Sequence, residues 1–225
     1  MDGMPMTHDL SSTCEDAALR ALSIPPGEAL FDLDGTLIEG DIGEAVLELV
    51  LAETGMAWDW PAYHALVATD DMEARTRGSV IQAELAAKAL AGLTVTTIER
   101  LVDEAFARDM VRPQAPVCAL AHRLAQHHRV WILTGSADVI GRAVAPRLGL
   151  ERVIGLRLRI VDTHAGPTLT DTIVPPVTMA SSKINAAWVA TGRRPAFAIG
   201  DSPWDKPLLL HAQSRLGIAR IAGLI

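Results

Sequence analysis

Only two cysteines occur in this 225-residue chain, Cys14 and Cys118, far apart and without a CxxC or Cys/His ligand spacing. That excludes a disulfide framework and a thiolate zinc site, and the expected setting is reducing. No Lys/Arg-rich run is present and the net charge is −7, so neither nucleic acid nor a membrane is an expected partner. The N-terminus carries Asp2, Asp9, Glu15 and Asp16 in place of the basic start and apolar core of a secretory signal, and no stretch is apolar enough to span a bilayer. The expected location is the cytoplasm. Internal repeats and low-complexity tracts are missing as well. What remains is a chain of ordinary globular composition, long enough for one large domain or a core with an insertion.

Residues 1–27 read as a peripheral or mobile segment with one short helix around Asp16 to Leu22, and Pro25-Pro26-Gly27 marks the entry to a first strand. From Ile42 the positions Ile42, Ala45, Val46, Leu49 and Val50 follow helical spacing, and Ile98, Leu101, Val102, Ala105 and Phe106 repeat it. With a further helix around Val80 to Leu90, residues 41–112 read as an inserted all-helical cap. Residues 28–40 and 113–225 then alternate helix and strand, which predicts an α/β core with a Rossmann-like parallel sheet. Strands are expected at Val130 to Leu133, Val153 to Leu158, Ala196 to Ile199 and Leu216 to Ala219, with a hairpin or flap in Arg159 to Val177.

In an open parallel sheet, ligands bind beyond the carboxyl ends of the strands. The first strand runs into Asp32 and Asp34, two acids that share a face if the strand persists, followed by Gly35 for a sharp turn. One carboxylate can attack while its neighbour moves a proton, and a divalent cation would relieve their repulsion. An EF-hand loop fails on spacing. After the second core strand come Thr134, Gly135 and Ser136, which offer a hydroxyl and backbone N–H groups to phosphate oxygens. After the strand ending at Ile199 come Asp201 and Asp205, suited to a hard cation, and Lys183 starts the preceding helix. Each has an ordinary alternative: solvated acids, an N-capped turn, surface lysine, or acids capping a helix. Their shared placement at strand ends argues for one site.

DLDGT at Asp32 to Thr36, the strand ending at Thr134, Lys183 and GDSPWD at Gly200 to Asp205 resemble the four motifs of the haloacid dehalogenase superfamily. The helical insertion after the first motif, and TGSADVIGRAVAPRLG at Thr134 to Gly149, are similar to the subgroup containing phosphoserine phosphatases. The resemblance implies a phosphatase of small phosphorylated metabolites, with Asp32 as nucleophile and Asp34 as the acid and base. It implies Mg²⁺ held by Asp32, the backbone carbonyl of Asp34 and Asp201, with Asp205 supporting the metal or Lys183. Thr134, Gly135 and Lys183 would hold the phosphoryl oxygens. An acid at Asp34 disfavours halide displacement. A phosphomutase or phosphotransferase using the same acid pair, or a noncatalytic binding protein that kept the fold, are the alternatives.

Asp41 stands where phosphoserine phosphatases often carry a substrate-binding Glu, and Arg75, Arg77 and Lys88 are all candidates for a carboxylate-binding cation. Thr134-Gly135-Ser136 departs from the Ser-Gly-Gly usual in those enzymes, which puts serine phosphate itself in doubt. The chain ends soon after Ala219, so sheet-edge contacts are expected to differ from those of many relatives. Monomer and homodimer are not distinguished. His122, His127 and His128 lack partners for a zinc site and are expected at the surface, and His211 is expected to be structural or exposed. Trp58 and Trp60 fit the cap side of a pocket or packing between helices, and Trp204 the pocket entrance.

Overall fold

A computed structural model of the chain describes residues 9–69, 71–179 and 181–219. Helix α1 (Leu10–Leu22) leads into β1 (Glu28–Phe31) and the short β2 (Ile38–Glu39). Four helices follow, α2 (Ile42–Thr54), α3 (Trp60–Ala65), α4 (Met72–Leu90) and α5 (Val95–Ala107), before β3 (Arg112–Pro113) pairs antiparallel with β2. The chain then alternates: α6 (Ala115–Leu124), β4 (Arg129–Ala137), α7 (Asp138–Val144), β5 (Val153–Thr163), β6 (Gly166–Val174), α8 (Ser182–Thr191), β7 (Phe197–Gly200), α9 (Lys206–His211) and β8 (Ser214–Gly217).

Among the described residues the main sheet has six strands in the order β6-β5-β4-β1-β7-β8, parallel except for β6. β1 therefore lies inside the sheet. Its alternation sends Phe31 into one core with Ile132 and Phe197, and Leu30 into another with Leu133, Ala198 and Leu208. Each such Leu, Ile or Phe side chain, fully buried, contributes about 1.5–3 kcal/mol.

Residues of the helical insertion share the first of these cores. Ile42 and Val46 on α2, and Ile98, Leu101 and Val102 on α5, are buried in one cluster with the sheet residues. The β2–β3 pair clasps the insertion's entry and exit, and Gln114 Nε2 donates to Gly35 O at 2.8 Å across that neck. The expected flap is a hairpin of β5 and β6, and it docks on the insertion through Gly92 N to Leu169 O and Leu169 N to Leu93 O, both 2.9 Å. The roof is thus tied down at two places.

Two expectations need correction. The segment before β1 is not wholly peripheral: α1 starts at Leu10, with Asp9 Oδ1 capping Ser11 N, and packs Cys14, Ala17, Ala18 and Ala21 into the core beside α6. Small side chains allow that close approach, and they carry too little hydropathy contrast to announce it. Residues 1–8 lie outside the described residues. His127 and His128 are also not loose surface groups. Their Nε2 atoms bond Ile24 O at 2.9 Å and Ala21 O at 3.0 Å, and Gly27 N donates to His128 Nδ1, which fastens the end of α1 to the start of β1. His122 likewise reaches Leu148 O at 2.7 Å. No helix of the described residues is long and apolar enough to cross a membrane.

Candidate active site

The sheet positions the acids directly. Asp32 extends the β1–β7 ladder through its N–H to Ile199 O at 3.0 Å, so its side chain stands at the carboxyl edge in mid-sheet and is buried. Lys183, at the start of α8, donates from Nζ to Asp32 Oδ1 at 2.7 Å and to Asp205 Oδ1 at 2.5 Å. All three side chains are buried, Asp205 completely. Asp205 Oδ2 accepts from Ser202 N and Ser202 Oγ, which closes the turn after β7 over it. On the opposite side Thr36 Oγ1 lies 3.3 Å from both Asp32 Oδ2 and Asp201 Oδ1, linking the first and last motifs.

Gly35 makes that approach of Asp201 possible. Its φ is +76°, and a Cβ there would lie 2.4 Å from Asp201 Oδ2. A side chain would be strained by the backbone and would expel the carboxylate.

Asp34 is held separately. Its Oδ1 accepts from Ile42 N at 2.8 Å at the start of α2, and its Oδ2 accepts from Thr134 Oγ1 and Ser136 Oγ, both at 3.0 Å. Thr134 is fully buried and its hydroxyl also accepts from Ser136 N at 3.0 Å. Its hydroxyl is therefore committed to Asp34 and Ser136, whereas Gly135 lines the cavity as expected for a phosphate cradle. β4 continues through these residues to Ala137, with its register broken between Leu133 and Ala137, so the cradle is an interruption of the strand and not the turn after it.

Electrostatics separate the acids by cause. Burial, then the neighbouring Asp205 charge, raises the Asp32 carboxyl well above the usual range against the pull of Lys183. Burial also raises Asp34, opposed by its bonds from Ile42, Thr134 and Ser136, and burial followed by Asp205 raises Asp201. Burial disfavours the Lys183 ammonium, but Asp205 and Asp32 overcome it and raise its pKa. Four acids against one ammonium leave negative charge uncompensated.

Carboxylate oxygens of Asp32, Asp201 and Asp205 lie within 4.8 Å of one another. An all-oxygen set with excess negative charge suits Mg²⁺, which keeps several waters beside one or two carboxylates. Within this cluster both Asp205 oxygens are already engaged, Oδ1 by Lys183 and Oδ2 by Ser202, which fits a role in supporting Lys183. The Asp34 carboxylate points instead to Thr134 and Ser136, which is compatible with the expectation that only its backbone carbonyl would serve a metal.

Above the acids lies a cavity of about 800 Å³, lined by the sheet end and by the insertion. Asp41 reaches it while capping α2 through Glu44 N at 2.8 Å. Crowding by surrounding protein, and then the Asp34 charge, raises Asp41, although the side chain is open to solvent and water screens much of this. Of the three candidate cations, Arg77 pairs with Glu73 on the exposed side of α4, and Lys88 is exposed away from the cavity. Arg75 stacks on Trp204, 5.4 Å from the ring centre, and Trp204 lines the cavity. Trp58 and Trp60 pack on Tyr63, and Tyr63 is the ring that faces the cavity. His211 serves through its carbonyl, which accepts from Arg194.

Sequence reasoning passed over Thr36 as a bridge and the Ser136 hydroxyl as an Asp34 partner. The threonine of DLDGT and the serine of TGS were the available signals, yet which acid each would reach depends on how the strand ends are staggered.

Protein CicA of Caulobacter vibrioides (strain NA1000 / CB15N) is 35% identical over 141 residues, 59% of this chain, and the chain spans 59% of that relative's length. A structure described as a phospho-aspartyl intermediate analogue of phosphoserine phosphatase aligns with TM-score 0.59 and 19% identity, covering 88% of each chain. A cytosolic 5'-nucleotidase IIIB bound to cytidine aligns with TM-score 0.61 and 11% identity, covering 96% of this chain and 79% of that one. The family model for haloacid dehalogenase-like hydrolases matches residues 29–210, nearly the whole of the sheet and its insertion, and the chain belongs to that family.

Proposed function

We propose that the protein is a Mg²⁺-dependent phosphatase that hydrolyses a small phosphomonoester through an aspartyl-phosphate on Asp32. The observation that carries this reading is the division of labour between the acids: Asp32 bonded to Lys183 beside Asp201 and Asp205, and Asp34 held apart by three donors. Family membership supports hydrolysis as the reaction type.

Asp32 attacks phosphorus, an O–P bond forms, and the ester P–O bond breaks as Asp34 gives its proton to the departing alkoxide. Burial raises the Asp34 pKa, which favours the protonated form that this step requires. Asp34 then takes a proton from water, which attacks the aspartyl-phosphate and frees phosphate and the Asp32 carboxylate. Lys183 keeps Asp32 oriented and neutralises charge; Gly135 offers its backbone to phosphoryl oxygens. When bound, Mg²⁺ would be held by Asp32, Asp201 and the backbone carbonyl of Asp34, with Asp205 supporting Lys183, and would supply charge neutralisation.

The test is phosphate release from an aryl phosphate and from a panel of natural phosphate esters, with and without Mg²⁺. Metal-dependent release that falls by about 10³-fold or more in Asp32→Asn is expected. Absence of release across the panel would remove the phosphatase reading.

A further inference from the structure

The cavity's two ends offer very different chemistry to a ligand. Asp32, Asp34, Asp201 and Asp205 sit at the sheet end. The wall opposite comes from α4, where Ser79, Gln82, Ala83, Ala86, Ala87 and Leu90 recur at helical spacing and line the cavity. Of the polar members of this wall, Ser79 Oγ donates to Arg75 O at 3.1 Å and Gln82 Nε2 to Tyr63 O at 2.8 Å, while elsewhere in the lining the buried Thr178 hydroxyl has no hydrogen-bond partner among the described residues. Nearby, His64 Nε2 and Glu44 Oε1 are 3.0 Å apart and engage each other. Leu47, Ile140, Leu156 and Leu158 complete the apolar lining.

Charge narrows the choice further. Among the described residues Lys183 is the one Lys or Arg lining the cavity, and both its bonds go to Asp32 and Asp205. Asp41 and Glu44 add two further acids to the lining. A leaving group with a carboxylate would meet like charge without a partner. One covered in hydroxyls would give up water for alanine and leucine. At about 800 Å³ the space is also far larger than a phosphoryl group and a three-carbon alcohol require.

We infer that the substrate is the phosphate monoester of an alcohol with an apolar body and no anionic group of its own, lodged against Ala83, Ala86 and Leu90. The inference rests on the sheet end being the phosphoryl-transfer centre, and it adds the class of leaving group.

Alkylphosphonates, ethyl to octyl, are titrated calorimetrically into the full chain with Mg²⁺, and hydrolysis of the matching alkyl phosphates is compared with that of O-phosphoserine, phosphoglycerate and a hexose phosphate. Affinity and kcat/KM are expected to rise about fourfold per methylene until the cavity is filled, with the anionic and sugar esters the poorest substrates. In Ala86→Arg the dependence on chain length flattens and O-phosphoserine gains. Phosphonate affinity independent of chain length, no phosphonate binding at any length, or preference for O-phosphoserine or the hexose ester overturns the inference; the wild-type titration decides this even if the variant does not fold. Phosphonates that follow the trend while no ester is hydrolysed overturn the phosphatase reading and leave the apolar preference standing.

Discussion

The floor of the cavity and its roof obey different rules. At the floor, polar groups are buried and each is held by named partners: Lys183 by two acids, Asp34 by three donors, Asp205 by Lys183 and Ser202. At the roof, α4 presents mainly small and apolar side chains, with Ser79 Oγ and Gln82 Nε2 bonded to backbone carbonyls. A phosphoryl group is small, highly charged and the same in every ester, so a floor that binds it must be built from exact charges and short bonds. The leaving group varies, and shape and apolar area suffice to choose it. On the function proposed above, chemistry and selection fall to elements that fold from different parts of the chain.

Removing Lys183 disturbs the floor most and leaves the roof untouched. Lys183→Met leaves Asp32 and Asp205 buried without their shared cation, and a stability loss of about 3–5 kcal/mol in denaturant unfolding is expected. Lys183→Arg should not restore it, because a planar guanidinium does not fit a site shaped for a compact ammonium. A loss no larger than that of a surface substitution would show that the floor is not a coupled unit.

Metal addition acts on the same charges with the opposite sign. Asp32, Asp34 and Asp201 have folded pKa values raised above the ordinary 3.8, so the native state binds protons more tightly than the unfolded chain. Their contribution to stability is therefore greatest at low pH and falls as pH rises through that window. Mg²⁺ at a hundred times its Kd should add about 2.7 kcal/mol at neutral pH. The increment should shrink on acidification, as protons occupy the acids, and a rise in Tm independent of pH would argue against metal binding at these residues.

Gly35→Ala sharpens the comparison at a single backbone position. The positive φ and the contact with Asp201 predict a loss of about 1–3 kcal/mol, together with weaker Mg²⁺ dependence of activity. Ser136→Ala is the mildest change. Removing one donor that favours the ionised form leaves Asp34 holding its proton to higher pH, so the alkaline limb of the kcat profile moves upward. A downward move would mean that Ser136 does not act through Asp34.

Much of the floor was legible in the chain because its residues follow strands directly, and a parallel sheet gathers strand ends whatever lies between them. Asp32, Lys183, Asp201 and Asp205 meet although 173 positions separate the first from the last in numbering. The roof was much less so. Helical spacing marked α2 and α5, whose apolar stripes enter the shared core, but α4 is alanine-rich and its two faces differ little in hydropathy. Periodicity located only its second half. Which of Arg75, Arg77 and Lys88 faces the cavity depends on the rotation of that helix, and none of them lines it. The same weakness of alanine as a signal concealed the packing of α1.

The central claim is that Asp32 carries the phosphoryl group, and trapping that intermediate tests it most directly. Wild-type protein turning over a phosphoryl-radiolabelled alkyl phosphate with Mg²⁺ is quenched in acid, digested and mapped. Label on the peptide containing Asp32, labile to base and absent from Asp32→Asn, is the result expected. Steady turnover with no covalent label, or label that persists in Asp32→Asn, would contradict it.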